Sequence, residues 1–245
     1  MLVTGASRGI GRAVATRFAE RGATVIVHYA LNEVAAQEAL SGLPGTGHFA
    51  IAADLADADA VAALVAEVIT ARGRIDVLVN NAGIYEAHPV LSTSYGEWRQ
   101  AWRRTLDTNL IGPANLIHEV VPHMAAQGGG RIVNVSSRGA FRGEPDCPAY
   151  GASKAGLNSL GQSLAQALAP FGIYVTTVAP GFVATDMAAA HLDGPSGDAI
   201  RAQSPMQRVA TADEVARVVV FLAEPGAETT TGAIVDVNGA SYLRT

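Results

Sequence analysis

Short apolar runs rich in β-branched residues alternate along the chain with longer, alanine-rich stretches in which apolar residues recur at helical spacing. Strands that are separated by helices predict β-α-β units, which place helices on both faces of a mostly parallel sheet. The pattern therefore predicts a doubly wound α/β fold. The apolar runs lie at 1–3, 25–27, 49–51, 77–79, 132–135, 175–178 and 234–237.

The predicted helices have recognisable ends, and no linker divides them into separate units. Thr211 and Glu214 form a capping-box pattern, and Pro225-Gly226 follows as a stop signal. No stretch rich in proline, glycine and serine interrupts the 245 residues, so we expect one domain spanning 1–245. The first strand, 1–3, is shorter than the ~5 to 6 residues of a typical strand. We interpret this as an incomplete N-terminus or a late start of the strand.

The composition favours a buried sheet and excludes several classes of function. Apolar residues make up 49% of the chain and charged residues 16%, which suits a sheet covered on both faces. The formal net charge of −5 argues against nucleic acid as a partner. Cys147 is the only cysteine, which excludes an intrachain disulfide, and we expect no metal site. Without a signal-peptide pattern or an apolar run near ~18 residues, we expect a cytoplasmic enzyme and no membrane partner.

Tyr150 and Lys154 stand four residues apart and therefore share one face of a helix that Pro148 is expected to open. A neighbouring ammonium favours the phenolate, so we expect the pKa of Tyr150 to fall by about 2 to 3 units from its ordinary value near ~10. The pair is then suited to general acid–base catalysis. The structural alternative is an exposed aromatic ring beside a solvated lysine.

A glycine-rich segment, 4–11, ends the first strand and precedes a helix predicted at 12–21. Gly5, Gly9 and Gly11 let the backbone approach a pyrophosphate, whose charge the helix N-terminus stabilises. The alternative is a tight strand-to-helix corner with no ligand.

These motifs occur together in the order and spacing of a known family. The segment 4–11, Asn80 to Gly83, Ser137, the Tyr150 and Lys154 pair, and 180–185 resemble the short-chain dehydrogenase/reductase family from residue 4 to about residue 240. The resemblance implies a Rossmann-like sheet of seven mostly parallel strands and NAD(P)-dependent hydride transfer between an alcohol and a carbonyl. It also implies a homotetramer and a mobile substrate lid around 186–205.

The resemblance assigns catalytic roles to four residues. Tyr150 would protonate the carbonyl oxygen, and Lys154 would lower the pKa of that phenol and bind the nicotinamide ribose. Ser137 would hold the same oxygen, since it lies thirteen residues before Tyr150 as in the family. Asn109 precedes Gly112-Pro113, which should kink its helix, and the family uses this asparagine to hold a water.

The charges near the glycine-rich segment and the second strand favour one cofactor. An acid about 20 residues after the glycines would favour NAD, but the second strand ends at 28–32 without one, and Arg8 offers a guanidinium to a 2′-phosphate. NADP is therefore expected, with NAD the less favoured alternative. Asp54 would contact adenine or else cap a helix. The expected cofactor-binding residues are Gly5, Ser7, Arg8, Gly9, Ile10, Gly11, Asp54, Asn81, Gly83, Tyr150, Lys154, Pro180, Gly181, Val183 and Thr185.

The substrate is less well defined. Arg138 and Arg142 would recognise an anionic or polyhydroxylated substrate, or, as the favoured alternative, pair internally with Glu144 and Asp146. The ending 237–242 is similar to that of 3-oxoacyl carrier protein reductases, but the two positions expected to dock the carrier protein, 123–130 and 169–172, hold no lysine or arginine. We therefore expect a small ketone, sugar or polyol. The alternatives are a 3-oxoacyl carrier protein reductase and a non-catalytic dinucleotide sensor, although all four family residues are present.

No charged side chain occurs between Ala155 and Thr185. A solvated helix normally carries charges on one face, so we expect the helix at 155–169 to be covered on more than one side. The sheet covers one side, and a partner subunit is expected to cover another. This agrees with the helix-pair dimers of the family, from which its homotetramers are built.

Overall fold

The computed structural model describes residues 1–244, and Thr245, the last residue of the expected domain, lies outside them. Seven strands form one parallel sheet in the order β3-β2-β1-β4-β5-β6-β9, which confirms the predicted doubly wound fold. A short parallel pair, β7-β8, lies outside that sheet. The strands are β1 Leu2–Val3, β2 Ile26–Tyr29, β3 Phe49–Ala52, β4 Val77–Asn80, β5 Gly130–Val135, β6 Ile173–Pro180, β7 Val183–Ala184, β8 Ala210–Thr211 and β9 Ile234–Val237.

The helices follow the strands as the apolar pattern predicted. Thr211 caps the last helix with the expected capping box, since Glu214 N–H bonds to its hydroxyl and the Glu214 side chain bonds back. The helices are α1 Gly9–Glu20, α2 Glu33–Ser41, α3 Ala58–Arg72, α4 Tyr95–Leu106, α5 Gly112–Ala126, α6 Gly139–Arg142, α7 Pro148–Leu168, α8 Asp186–Leu192, α9 Gly197–Ala202 and α10 Ala212–Ala223.

Successive side chains of the strands enter two separate cores, one on each face of the sheet. Val3 and Val27 pack with α1, α2 and α10 on one face. Leu2 and Ile26 pack with α3 and α5 on the other face. Because side chains alternate across a strand, a strand buried on both faces consists of consecutive apolar residues. This is why even the two-residue strand β1 is fully buried at the centre of the sheet.

The segment expected to be a lid forms two short helices, α8 and α9, over the carboxyl edge of the sheet. Ala188, Leu192 and Ile200 make a small apolar cluster of their own, against which Phe182 and Val209 pack. The parallel pair β7-β8 joins the chain just before the lid to the chain just after it. The segment 186–205 therefore has its own apolar cluster, and the β7-β8 pair connects its two ends.

Candidate active site

The carboxyl ends of the central strands open into a cavity of about 480 Å³. The cavity lies near the point where the strand order reverses between β1 and β4, which is the usual ligand position in an open α/β sheet. Gly11, Asp54 and Asn109 are not among its lining residues. The other residues predicted from sequence do line it, namely Gly5, Ser7, Arg8, Gly9, Ile10, Asn81, Gly83, Ser137, Tyr150, Lys154, Pro180, Gly181, Val183 and Thr185.

The glycine-rich loop forms one wall of the cavity. Gly5 and Gly9 have φ of +60° and +55°, which a residue with a Cβ adopts only with strain. A Cβ at Gly9 would lie 3.3 Å from Cγ2 of Thr185, so the loop approaches the segment after β6 closely. Helix α1 begins at Gly9, and no side chain caps its N-terminus. Its first backbone N–H groups are therefore suited to bind a pyrophosphate.

Gly11 has a packing role instead of the cavity contact that the sequence suggested. A Cβ at this position would collide with the carbonyl oxygen of Gly5. Gly11 therefore lets the first turn of α1 lie directly against the loop. Gly11 is buried and does not itself line the cavity.

His28, on β2, is hydrogen-bonded to the glycine-rich loop. Its Nδ1 accepts a hydrogen bond of 3.1 Å from the N–H of Gly5, so its Nε2 carries the proton and donates to the carbonyl of Ala53 at 3.0 Å. Burial lowers the pKa of His28, which keeps the ring neutral as both bonds require. Asn81 stabilises the same loop, because its Nδ2 donates to the carbonyl oxygen of Thr4 at 2.9 Å.

The cavity next to β2 presents no carboxylate. Tyr29, Ala30, Leu31 and Asn32 line this part, and the Asn32 side chain is used in capping α2 through the N–H of Ala35. The exposed Arg8 also lines the cavity, and no ion pair or side-chain hydrogen bond holds its guanidinium within residues 1–244. The region thus combines a free guanidinium with neutral neighbours.

Asp54 lies on the exposed surface after β3. Its Oδ1 accepts a hydrogen bond of 2.9 Å from the N–H of Ala56, which closes a local turn. The N-cap of α3 is Asp57, whose side chain accepts from the N–H groups of Asp59 and Ala60. Helix capping by Asp54, the structural alternative, is therefore wrong by three residues, and Asp54 forms the turn that precedes the cap.

Ser137 follows β5, with its hydroxyl at the cavity. The Oγ atom accepts a hydrogen bond of 3.0 Å from the N–H of Gly139, so its own proton is available to donate. The hydroxyl is therefore oriented by the first turn of α6. It can donate to an oxygen atom held in the cavity.

Tyr150 lies in the first turn of α7, which Pro148 opens as predicted. Burial raises the pKa of Tyr150 to about 12, and the neighbouring Ser137 hydroxyl acts in the opposite direction. The expected fall in the pKa of Tyr150 is therefore wrong for the cofactor-free protein. Burial raises the pKa because it disfavours the phenolate directly, and the neighbouring Lys154 ammonium does not offset this effect. A protonated phenol is the form that a general acid needs.

Lys154 is 3% exposed and is the only lysine in the chain. Its Nζ donates to the carbonyl of Val135 at 2.9 Å and lies 5.8 Å from the centre of the Tyr150 ring. Burial lowers the pKa of Lys154 to about 8. The ammonium is thus anchored to the end of β5, next to the phenol but without an ion-pair partner among the described residues.

Asn109 lies behind the cavity wall in a five-residue π-helical turn, Asp107–Ile111, between α4 and α5. Its Oδ1 accepts from the N–H of Ile84 at 2.8 Å, and its Nδ2 donates to the carbonyl of Ile84 at 2.9 Å. Pro113 has no N–H to donate to the Asn109 carbonyl, so an α-helical hydrogen bond is missing at the expected kink, where the π-helical turn lies. A Cβ at Gly83 would touch both Asn109 Oδ1 and Lys154 Nζ, so this glycine separates the two side chains.

The cavity has a second polar wall that the sequence did not reveal. The Tyr85 ring meets the Tyr150 ring edge to face, with centroids 4.9 Å apart, and also contacts His191 of α8. Glu144 lines the same wall, and the Tyr85 hydroxyl lies 3.5 Å from its Oε2. No family motif or spacing signal marked Tyr85 or His191, and Glu144 was expected only as an ion-pair partner. The tertiary structure brings together Tyr85 from the loop after β4, Glu144 from the loop before α7, and His191 from helix α8.

The favoured internal pairing of Arg138 and Arg142 with Glu144 and Asp146 is wrong. No ion pair joins these four residues within the described part of the chain. The buried Arg138 instead donates to Ser241 Oγ at 2.7 Å and Gln203 Oε1 at 2.6 Å. Both arginines donate instead to neutral acceptors, Gln203 in the segment 186–205 and, for Arg138, Ser241 near the C-terminus.

No group of histidine, cysteine and acidic side chains in residues 1–244 is arranged to hold a metal ion. No helix in the described part of the chain combines the length and the apolar character needed to span a bilayer.

The two ends of the cavity limit its chemistry. One end offers an uncapped helix N-terminus for a pyrophosphate, and the other offers a phenol and a hydroxyl beside an ammonium, which suits proton transfer to a carbonyl oxygen. In a Rossmann-like fold, this combination is that of an oxidoreductase that uses a dinucleotide. A family model described as "Enoyl-(Acyl carrier protein) reductase" matches residues 5–240. The chain belongs to the short-chain dehydrogenase/reductase family, whose members bind NAD(P) and act on CH–OH and C=O groups.

Full-length relatives agree with this assignment. The chain is 41% identical over 244 residues to the 3-oxoacyl-[acyl-carrier-protein] reductase FabG of Staphylococcus aureus, covering 99% of this chain and 97% of the relative. It is 38% identical over 251 residues to the L-rhamnose 1-dehydrogenase (NAD(P)(+)) of Azotobacter vinelandii, covering 99% and 96%. Its structure is similar to ligand-free Thermoplasma acidophilum aldohexose dehydrogenase, with a TM-score of 0.86, 32% identity and coverage of 100% and 94%.

Proposed function

We propose that this protein is an NADP(H)-dependent oxidoreductase of small carbonyl compounds and the corresponding secondary alcohols, with Tyr150, Ser137, Lys154 and Asn109 as its working residues. The observation that carries the proposal is the convergence of the Tyr150 phenol and the Ser137 hydroxyl on one cavity, with Lys154 beside them. We propose that the chain acts as one domain, with 186–205 as its substrate lid.

Each residue has a definite task in this proposal. When bound, the nicotinamide supplies or accepts the hydride. Ser137 donates a hydrogen bond to the substrate oxygen and keeps this oxygen in position. Tyr150 transfers a proton to the same oxygen in reduction and removes it in oxidation. Lys154 places a positive charge where the phenolate forms. Asn109 keeps the loop at Ile84 in position, and its carbonyl is the point at which a water would connect Lys154 with solvent.

The cofactor fits the residues present. The uncapped N-terminus of α1 and the close approach at Gly9 suit a pyrophosphate, and Thr185 faces that loop across the cleft. Arg8 would bind the 2′-phosphate of NADP(H), because its guanidinium has no other partner in the described residues and no carboxylate lines the end of β2.

Replacing Arg8 with alanine is expected to raise the KM for NADPH by about 10- to 100-fold, because a charged hydrogen bond to the phosphate is lost. The KM for NADH should change less than threefold. Steady-state kinetics with both cofactors measures this, and Arg12→Ala, an exposed arginine on the next turn of α1, is the matched control. An equal effect of Arg8→Ala on both cofactors would contradict the proposed preference.

The test of the whole proposal is a spectrophotometric panel of ketones, sugars and 3-oxoacyl thioesters, with NADPH and NADH. We expect turnover of at least one small carbonyl or alcohol with NADP(H). The absence of turnover on every substrate with either cofactor would contradict an enzymatic role and favour a dinucleotide sensor.

A second candidate is a 3-oxoacyl carrier protein reductase, which the 41% identity to the Staphylococcus aureus relative favours. Such an enzyme must dock an acidic carrier protein. The positions 123–130 and 169–172 carry no lysine or arginine, which weighs against this candidate. In the panel, a kcat/KM for 3-oxoacyl thioesters well above that for all free ketones and sugars would support it.

We propose that the protein assembles as a homotetramer built from helix-pair dimers. Helix α7 exposes Ala152, Ala155, Ser159 and Ser163, a face without charge. A partner helix would cover this face at a low desolvation cost, because few polar groups lose water. Sedimentation at micromolar concentration should show a dimer or tetramer, and a monomer under those conditions would contradict the assembly.

A further inference from the structure

The inner wall of the cavity carries two opposite charges that are not paired with each other. The carboxylate of Glu144 and the guanidinium of Arg138 both line the cavity beside Ser137 and Tyr150. No contact within 4.0 Å joins them among the described residues. The proposed catalytic steps use neither side chain. Two fixed charges of opposite sign in a cavity point to a ligand that satisfies both.

Glu144 has unused acceptor capacity. An ionised carboxylate offers about four acceptor sites, yet the hydrogen bond to this one from the described residues is that of the Tyr85 hydroxyl, at the long distance of 3.5 Å. A Cβ at Gly139 would lie 2.6 Å from Oε1, so the glycine provides the space that the carboxylate occupies. Burial raises the pKa of Glu144, as expected for a carboxylate with too few hydrogen-bond donors.

Arg138 is held in a defined orientation by neutral groups. Ser241 and Gln203 each accept one hydrogen bond from its guanidinium, which also lies over the Phe182 ring at 5.1 Å. Since a guanidinium has five N–H donors, these two bonds leave others available. The arginine is therefore a fixed donor that the lid and the C-terminal segment position together.

The wall between the two charges is aromatic. The rings of Tyr85, His191 and Phe182 form a row with His191 in the middle, at centroid distances of 6.0 Å from Tyr85 and 6.2 Å from Phe182. A long acyl chain in this space would remove water from both charges without replacing its hydrogen bonds. An anionic substrate would gain from Arg138 but would be repelled by Glu144. Hydroxyl groups both donate and accept, so they satisfy both residues.

We propose that Glu144 and Arg138 form a hydroxyl-binding subsite, and that the substrate is a polyhydroxylated carbonyl compound or the corresponding alcohol, such as an aldose. Glu144 accepts from one substrate hydroxyl, and Arg138 donates to the oxygen of another. This inference rests on the proposed oxidoreductase function and specifies its substrate class. Both residues determine specificity, while proton transfer stays with Tyr150.

The experiment compares substrates with and without hydroxyl groups in the full-length protein. Oxidation of a set of aldopentoses and aldohexoses with NADP⁺ is measured beside tetrahydropyran-2-ol, which keeps the reacting centre of a pyranose and lacks its other hydroxyls. Wild-type protein, Glu144→Gln and Asp146→Asn are assayed. Asp146 is the matched control, because it is an exposed carboxylate of the same loop that does not line the cavity.

We expect the wild-type kcat/KM for the best aldose to exceed that for tetrahydropyran-2-ol, and Glu144→Gln to lower the aldose value by about 10- to 100-fold. The value for tetrahydropyran-2-ol should stay within threefold, which also shows that the variant is folded. If Glu144→Gln lowers both values equally or changes neither, or if only substrates without hydroxyl groups react, the subsite is refuted and the oxidoreductase function stands. If no carbonyl or alcohol reacts in the wild type with either cofactor, the proposed function itself fails.

Discussion

Replacing Tyr150 with phenylalanine is expected to lower kcat by about 10²- to 10⁴-fold, the usual contribution of a positioned general acid or base. The phenol is protonated at neutral pH because burial raises its pKa to about 12, and it lies in the cavity near the Ser137 hydroxyl. Phenylalanine keeps the ring and its edge-to-face contact with Tyr85 but carries no transferable proton. The KM for the cofactor should change only a few-fold.

The matched control for this variant is Tyr174→Phe. Tyr174 lies on β6, where its ring contacts the Arg131 guanidinium, and it does not line the cavity. Its variant should retain wild-type kcat. Stopped-flow measurement under single-turnover conditions separates the chemical step from product release. A Tyr150→Phe protein whose single-turnover rate stays within threefold of wild type would contradict the assignment of the acid.

Replacing Lys154 with methionine is expected to remove activity and to stabilise the cofactor-free protein at the same time. The buried ammonium has its pKa lowered from 10.5 to about 8 by burial, which is a stability cost at neutral pH. Methionine fills a similar volume without a charge but leaves the carbonyl of Val135 without this donor. We expect a net gain of about 2 kcal/mol in the free energy of unfolding at pH 7.

The pH dependence of this gain identifies its cause. Between pH 8 and 10.5 the folded wild type has released the Lys154 proton while the unfolded chain still holds it, so wild-type stability rises with pH in this range. The stability difference between Lys154→Met and wild type should therefore be constant below pH 8 and shrink up to pH 10.5. Urea unfolding at several pH values measures it. A difference that does not vary with pH would show that charge burial is not the cause.

The chain also allows the Lys154 pKa to be measured directly. Because Lys154 is the only lysine, ¹³Cε-lysine labelling gives a single NMR signal for titration. The midpoint should lie near 8 without cofactor. If NADP(H) and Tyr150 share the cavity with this ammonium as proposed, the addition of NADP⁺ should shift the midpoint, and Tyr150→Phe should change that shift.

The sequence by itself determined the fold class and identified fourteen of the residues that line the cavity. Consecutive apolar residues in short strands require a sheet covered on both faces, and local signals such as Thr211 with Glu214 set helix ends within a few residues. The end of strand β5 places Ser137 in the cavity. One face of helix α7 places Tyr150 and Lys154 there. These are local relations, and local relations are visible in one sequence.

The tertiary structure alone decided the electrostatics and the partners of the site. The pKa of Tyr150 depends on how much protein surrounds it, and spacing along a helix contains no information about burial. Arg138 bonds to side chains 65 and 103 residues away in preference to the acids close to it in sequence. The contact of Tyr85 with Glu144, and the packing role of Gly11, likewise arise where distant segments meet. Such contacts follow from the packed fold, because a charge selects its partner by distance in space and by the desolvation that surrounds both groups.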